Sequence, residues 1–572
     1  MNRSLFCYLA ICLAAMSGLF ASSQEAASKH PCTYADGPLD PYYPHRDYPK
    51  LTTPQWIGED GVECVVTLAI DDMRDSAKYE AFLRPILDRL KQIDGRAPVS
   101  IMSCSVNPAD PQLKKWLAEG LSIEVHTFDH PCPCLQGGDF AKAKATYEKC
   151  VDLMSLIPGN KPVAFRMPCC DSKNTPSPRF WQHVFNQTTP YGNFLQIDSS
   201  VFNVITGDDP ALPKEIRQLA DGSERFRRYL PFPNFVNTIN DYPYPYVIGG
   251  MCWEFPCVVP SDWSAQHVQK PFNPDTVRDL KLALDAAVIK QGTFNLVFHP
   301  HGWIRNDQVV ELIDHAVQMH GKKVKFLNFR ECLERLNKNL LRGQPIRLDS
   351  GKRNLGVALL DLNRDGFLDV ASRDRSWLWD PSRGEWRDGE GIGQSTDMGV
   401  AQELLSHLRK DGLARDLDGD GELEVIRATP RPTDRTVTPQ NGYLYSGSKR
   451  LPFGFPEGLP VLDNQTDREV GVRLIDVNGD GKLDCLFSNA ERYALYLFKD
   501  LETGWSVKVL DEKRGDPSGK RPVIPPFVRA DGNNNGVWFH SGAIWLQNED
   551  TAKLPDGVEK VPFKDLLDTP TP

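Results

Sequence analysis

Four short segments hold residue types that do chemistry in combination: Asp71-Asp72, His126-Thr-Phe-Asp-His130-Pro131, Arg166-Met-Pro168 and His299-Pro-His301-Gly302. Two imidazoles and one carboxylate suit a catalytic divalent metal such as zinc, with one position left open for water. A second carboxylate beside the first can stay unligated and act as general base on that water. An arginine nearby would favour its charged form and orient it. A separate histidine would protonate a leaving amine. The set suits metal-assisted hydrolysis of an amide.

Each segment follows a run that reads as a buried strand. Leu68-Ala69-Ile70 precedes the acid pair, Ile123-Glu124-Val125 the first histidines, Val163-Ala164-Phe165 the arginine and Asn295-Leu296-Val297-Phe298 the last histidines. Strands are predicted over 64–70, 99–106, 122–128, 163–167, 194–201 and 293–299. Helices are predicted over 78–93, 112–119, 140–157, 277–290 and 307–320. This α/β alternation implies a parallel sheet or barrel, whose C-terminal strand ends converge on one mouth. Residues 203–275, rich in Pro and aromatics and without a period, read as a long insertion. Trp253, Trp263 and Trp303, with Tyr242, Tyr244 and Tyr246, are candidates for stacking on sugar rings or for ordinary packing.

With these motifs in this order, residues 64–335 resemble the polysaccharide deacetylase (NodB-like) group, carbohydrate esterase family four. The resemblance implies a distorted (β/α) barrel in which Asp71 is the base and Asp72, His126 and His130 hold the metal. It further implies that Arg166 tethers Asp71, that the backbone N–H near Cys169 helps stabilise the oxyanion, and that His299 is the acid. Ile70 and Cys169 depart from the family, which usually has Phe and an aromatic residue there. His299-Pro-His301 leaves two candidates for the acid and is similar to the allantoinase-like branch. The implied activity is removal of N-acetyl (or O-acetyl) groups from a polysaccharide. Hydrolysis of a small cyclic amide and a non-catalytic adhesion role are the alternatives.

Beyond residue 342 the pattern changes. Asp361-Leu-Asn363-Arg-Asp365-Gly-Phe-Leu-Asp369 recurs as Asp416-Leu-Asp418-Gly-Asp420-Gly-Glu-Leu-Glu424 and as Asp476-Val-Asn478-Gly-Asp480-Gly-Lys-Leu-Asp484. A worn fourth copy is Asp531-Gly-Asn533-Asn-Asn535-Gly536, and the first positions lie 55, 60 and 55 residues apart. Alternate oxygen ligands with a Gly at the sharp turn are how a loop wraps Ca²⁺. A regular period of this size marks a repeat architecture such as propeller blades. Residues 343–550 resemble FG-GAP/VCBS-type repeats of integrin-like propellers, so a calcium-binding, all-β domain is expected.

The chain has 572 residues, 66 Lys+Arg, 76 Asp+Glu and a net charge of −10, with no basic run suited to a nucleic-acid partner. Residues 1–24 read as a signal peptide: Arg3, the apolar run Leu5–Phe20, then small residues. No later apolar stretch is long enough to span a bilayer. An exported protein, periplasmic or extracellular, is expected. Its parts are an irregular lead-in at 25–60, the barrel at 61–340 and the repeat domain at 343–572. Of 14 cysteines, Cys132, Cys134, Cys169 and Cys170 crowd the predicted mouth, as disulfides or as extra metal ligands. Cys252 and Cys257 are placed to staple the insertion.

Overall fold

The computed structural model describes residues 43–567 except 133, 135–138, 170–176, 231–236, 355, 373–374, 390–411, 422–423, 428–441, 447–448, 460–470, 518–520 and 555–556. The predicted leader, Cys32 and Cys170 lie outside the described residues.

The N-terminal half is built on strands β1 (Cys64–Met73), β2 (Val99–Ser103), β3 (Ser122–Val125), β4 (Ala164–Phe165), β5 (Ile197–Asp198) and β6 (Phe202–Val204). These are followed by β7 (Thr238–Asn240), β8 (Tyr246–Ile248), β9 (Cys252–Glu254), β10 (Cys257–Val258), β11 (Thr293–Phe298) and β12 (Val324–Phe326). The main sheet runs β11-β1-β2-β3-β4-β5-β9-β8, with β12 also on β1, and every pairing but β8–β9 is parallel. Strands β10-β6-β7 form a smaller sheet. Among the described residues no ladder joins β8 back to β11, so the sheet is a half-barrel rather than a closed one.

Strands β1, β2, β3 and β11 are buried almost throughout. That is why they read as near-continuous apolar runs: helices cover parallel sheets on both faces. The helices Ser76–Asp94, Pro111–Glu119 and Phe140–Ser155 start where Asp75, Asp110 and Asp139 accept backbone N–H groups. Gly95 and Gly120 end the first two in the left-handed conformation.

Two stretches differ from the sequence reading. Residues 203–275 are not an excursion from the sheet but supply β7 to β10 and the helix Asp262–Gln269. Tyr242, Tyr244, Tyr246 and Trp253 are buried there, so four of the six proposed sugar-stacking rings are core residues. The expected lead-in contains a buried helix, Thr53–Ile57, with Trp56 wholly enclosed. Strands too short to show a period could not be read from local sequence.

The C-terminal half consists of four separate antiparallel sheets, over 357–388, 412–450, 472–513 and 537–562. In the first three, the acidic loop joins the first two strands. Gly366, Gly421 and Gly481, at the sixth loop position, have φ of 84°, 89° and 83°, a conformation that favours glycine. In the fourth, the worn loop precedes the first strand, Val537–His540. Its Asn534 docks on the N-terminal half: the carbonyl accepts from Arg179 Nη1 at 3.0 Å and the N–H donates to His183 Nε2 at 2.9 Å. Arg179 also pairs with Glu549 at 2.8 Å. Among the described residues no helix is long and apolar enough to cross a membrane.

Candidate active site

The acid pair sits on an irregularity of β1. The register with β2 shifts between Ile70 and Met73, and Asp72 has φ 68°. On a regular strand neighbouring side chains point to opposite faces. A bulge re-aims one of them, so both carboxylates serve the same mouth. The strand thus continues to Met73 instead of ending at Ile70. Strand β3 ends earlier than predicted, because Thr127 and His130 are also left-handed, with φ of 60° and 57°. Cys169 makes a fourth such residue, at φ 56°. Each left-handed non-glycine costs on the order of 1–3 kcal/mol, a strain that gathers at functional sites.

Asp71 is buried, and its Oδ1 accepts from Arg166 Nη1 at 2.7 Å. Arg166 is itself wholly buried and held from behind. Its Nε donates to Ser199 O at 2.9 Å, and its Nη2 to Ser199 Oγ at 2.8 Å and to Asn295 Oδ1 at 3.3 Å. The Tyr79 hydroxyl donates to the Asp71 carbonyl. The Asp71 carboxylate therefore has a fixed orientation and an opposite charge against it.

Asp72 is the hub of four imidazoles. Its Oδ1 lies 3.1 Å from His126 Nε2 and 2.7 Å from His130 Nε2, and its Oδ2 lies 2.9 Å from His301 Nε2 and 3.9 Å from His299 Nε2. Burial would raise its pKa, but the hydrogen bonds to His126, His130 and His301 pull it far below the carboxylate range. The ligand atoms of Asp72, His126 and His130 all lie within 4.8 Å of one another. His126 Nδ1 faces the Arg166 carbonyl at 2.8 Å, which fixes the ring and turns Nε2 to the hub. This donor set fits a divalent cation.

The two histidines after β11 have different surroundings. His299 is buried, with Nδ1 2.8 Å from Asp262 Oδ1, and its backbone N–H donates to Asp262 Oδ2 at 2.8 Å. Burial would lower its pKa, but the charge and hydrogen bond of Asp262, helped by Asp72 and Asp71, raise it to about 10. His301 is more open, and its Nδ1 lies 3.1 Å from Lys78 Nζ. An ammonium only donates, so Nδ1 accepts and the proton sits on Nε2, towards Asp72. Trp303 packs edge-on against both rings, with centroids 4.8 and 5.2 Å away.

Cys132 and Cys169 form a disulfide across the rim, with Cα atoms 5.9 Å apart, so neither is free to bind a metal. Cys134, Cys252 and Cys257 are buried free thiols, so the expected staple of the insertion is absent.

The mouth thus brings together Asp71, Asp72, His126, His130, Arg166, His299 and His301. The sequence reading missed Asp262, Ser199, Asn295 and Lys78. Asn295 carried a signal, a lone amide inside an apolar strand. Asp262 carried none, because its helix follows a stretch without a period.

In the repeat loops the first-position acids cap their own turn. Asp361 accepts the N–H groups of Asp365 and Gly366, Asp416 those of Gly419 and Gly421, and Asp476 those of Gly479, Asp480 and Gly481. The ninth-position acids Asp369, Glu424 and Asp484 accept from Leu362, Leu417 and Val477. Oxygens of Asp416, Asp418 and Asp420 lie within 4.8 Å of one another. Asn363 and Asn478 hold the third position of the other loops, where their amides donate to Asp365 and Asp480.

Residues 59–177 match the polysaccharide deacetylase family model, and this stretch carries a polysaccharide deacetylase domain. No curated protein matches the chain. Among solved structures, the Puue allantoinase is 13% identical, over 50% of this chain and 93% of that one, with a TM-score of 0.32. The peptidoglycan deacetylase PdaC from Bacillus subtilis is 15% identical, over 50% and 96%, with a TM-score of 0.25. A family 4 carbohydrate esterase from Streptomyces lividans in complex with acetate is 10% identical, over 46% and 91%, with a TM-score of 0.24.

Proposed function

We propose that this protein is an exported, metal-dependent hydrolase that removes N-acetyl groups from a polysaccharide. The observation that carries the reading is the bulge at Asp71-Asp72, which sets an Arg-tethered carboxylate beside a carboxylate encircled by imidazoles. Asp72, His126 and His130 would hold the cation, with zinc expected from two imidazoles and a carboxylate. When bound, the cation supplies Lewis acidity, lowering the pKa of a water and polarising the amide carbonyl.

Asp71 takes the proton from the attacking water, and Arg166 holds its oxygen in place. The backbone N–H of Cys169 is assigned to the developing oxyanion, on a segment fixed by the bridge to Cys132. His299 delivers a proton from Nε2 to the leaving amine, since Asp262 takes the hydrogen bond of Nδ1 and favours the charged ring. His301 screens Asp72 from the solvent side. The C-terminal sheets are read as propeller-type repeats that bind Ca²⁺ and hold a glycan or surface.

The test is acetate release from chitooligosaccharides and peptidoglycan by the metal-loaded protein. Asp71→Asn and His299→Gln are each expected to lower kcat by about 10²–10⁴-fold, and His301→Gln by much less. Acetate at equal rates from wild type and Asp71→Asn would remove Asp71 as base. Turnover of allantoin without acetate release from either glycan would replace the polysaccharide with a small cyclic amide.

A further inference from the structure

One trio of side chains outside the mouth repeats its arrangement. Asp285 lies on the helix Pro274–Ile289, and His315 ends the helix Asn306–His315, which continues as a wide π-turn over Ala316–His320. His315 Nε2 and His320 Nε2 each stand 2.7 Å from the same oxygen, Asp285 Oδ1, with ring centroids 5.9 Å apart. In the mouth, His126 Nε2 and His130 Nε2 stand 3.1 and 2.7 Å from Asp72 Oδ1, with centroids 5.1 Å apart. Both trios place their three ligand atoms within 4.8 Å of one another.

The backbone accounts for the convergence. Residues five apart on an α-helix differ by about 140° around the axis, so His315 and His320 would diverge. The i→i+5 hydrogen bonding of a π-turn brings such residues back onto one side. Both bonds then fall on a single carboxylate oxygen rather than one on each. Nearby charges are engaged elsewhere: Lys281 pairs with Glu311 at 2.7 Å between the same two helices, and Lys323 with Glu63 at 3.0 Å.

We propose that Asp285, His315 and His320 form a second divalent-metal site that clasps these two helices together. Two imidazoles and one carboxylate select a zinc-like ion over calcium, which prefers oxygen ligands throughout. Side-chain exposures of 24, 17 and 16% let water complete the coordination. Asp285 lies near the C-terminal end of the helix that leads into β11, and His320 lies shortly before β12, which puts the site towards the N-terminal strand ends, away from the mouth. In barrel folds that end serves stability rather than chemistry.

The test uses the full chain, stripped with chelator, kept in excess Ca²⁺ and reloaded with Zn²⁺. Metal content per chain and the rise in Tm on adding Zn²⁺ are measured for wild type, Asp285→Asn, His320→Gln and Asp72→Asn. Wild type is expected to hold one more zinc per chain than either Asp285→Asn or His320→Gln, and both variants should lose part of the Zn²⁺-dependent rise in Tm. In Asp72→Asn the part of that rise due to Asp285 should persist, which separates this site from the mouth. If Asp285→Asn fails to fold, His315→Gln provides the same comparison. Equal zinc content in wild type and folded variants overturns the proposal.

Discussion

Both halves of the molecule gather carboxylates near strand ends, and they stabilise them in opposite ways. In the mouth, Asp71 has the Arg166 guanidinium against it, and Asp72 has three imidazole nitrogens within 3.1 Å. In the repeat loops, buried Asp369, Glu424 and Asp484 rest on backbone N–H groups such as those of Leu362, Leu417 and Val477. Burial, with neighbouring loop carboxylates adding, pushes these three up to about 8, 8 and 7. A backbone N–H is a dipole, whereas a guanidinium is a full charge. Asp71 is thus settled by a cation of the protein's own, whereas the loop acids are left wanting one.

The contrast can be broken most strongly at Arg166. Arg166→Met leaves the Asp71 carboxylate buried without its partner and should destabilise the N-terminal half by about 3–5 kcal/mol, read from urea unfolding. A cost below about 1 kcal/mol, the scale of an exposed pair, would mean that the mouth does not depend on this charge.

The loops should answer to added calcium. Ca²⁺ at about 100 times its Kd adds about 2.7 kcal/mol for each loop it fills, and one filled loop raises the Tm of a domain of this size by about 5–10 °C. Calorimetry of the full chain with calcium and with chelator measures it. Coincident melting curves would remove the calcium assignment.

A third case lies between the two. Beneath the mouth, Asp198 and Glu254 are both buried: burial raises Asp198 to about 6 against the hydrogen bonds that lower it, and burial together with the Asp198 charge raises Glu254 well above its ordinary value. Glu254 Oε1 accepts from Ser200 and Val201 N–H at 3.1 Å each, and a proton shared with Asp198 is the expected way to keep both acids in the core. Folded pKa values above the unfolded ones give stability that is complete below about pH 4 and lost as pH rises through 6. Glu254→Gln keeps the Oε1 acceptor and supplies a permanent N–H towards Asp198. It should flatten the decline in Tm between pH 5 and pH 8 and add on the order of 1 kcal/mol at pH 8. An unchanged pH slope would mean that the proton is not shared.

Long apolar strands and periodic helices were legible, as were the four chemical segments, because each signal is local. Buried parallel strands announce themselves as apolar runs, and charged or imidazole groups at their ends have no packing reason to be there. The short strands β6 to β10 were not legible as elements, since two or three residues carry no period and are fixed by the sheet they join. The worn fourth loop is accounted for only by the fold, in which its Asn534 meets Arg179 and His183.

The residue types by themselves determined that this chain has a metal-suited His/carboxylate set with a spare acid, and acidic glycine loops at a repeating distance. Only the tertiary structure decided that a bulge turns Asp71 and Asp72 to the same mouth, that Asp262 supports His299, and that Asp285 meets His315 and His320. The reason is physical. Ligand type is a property of one side chain, whereas convergence depends on register, bulges and helix pitch, which many distant contacts set together.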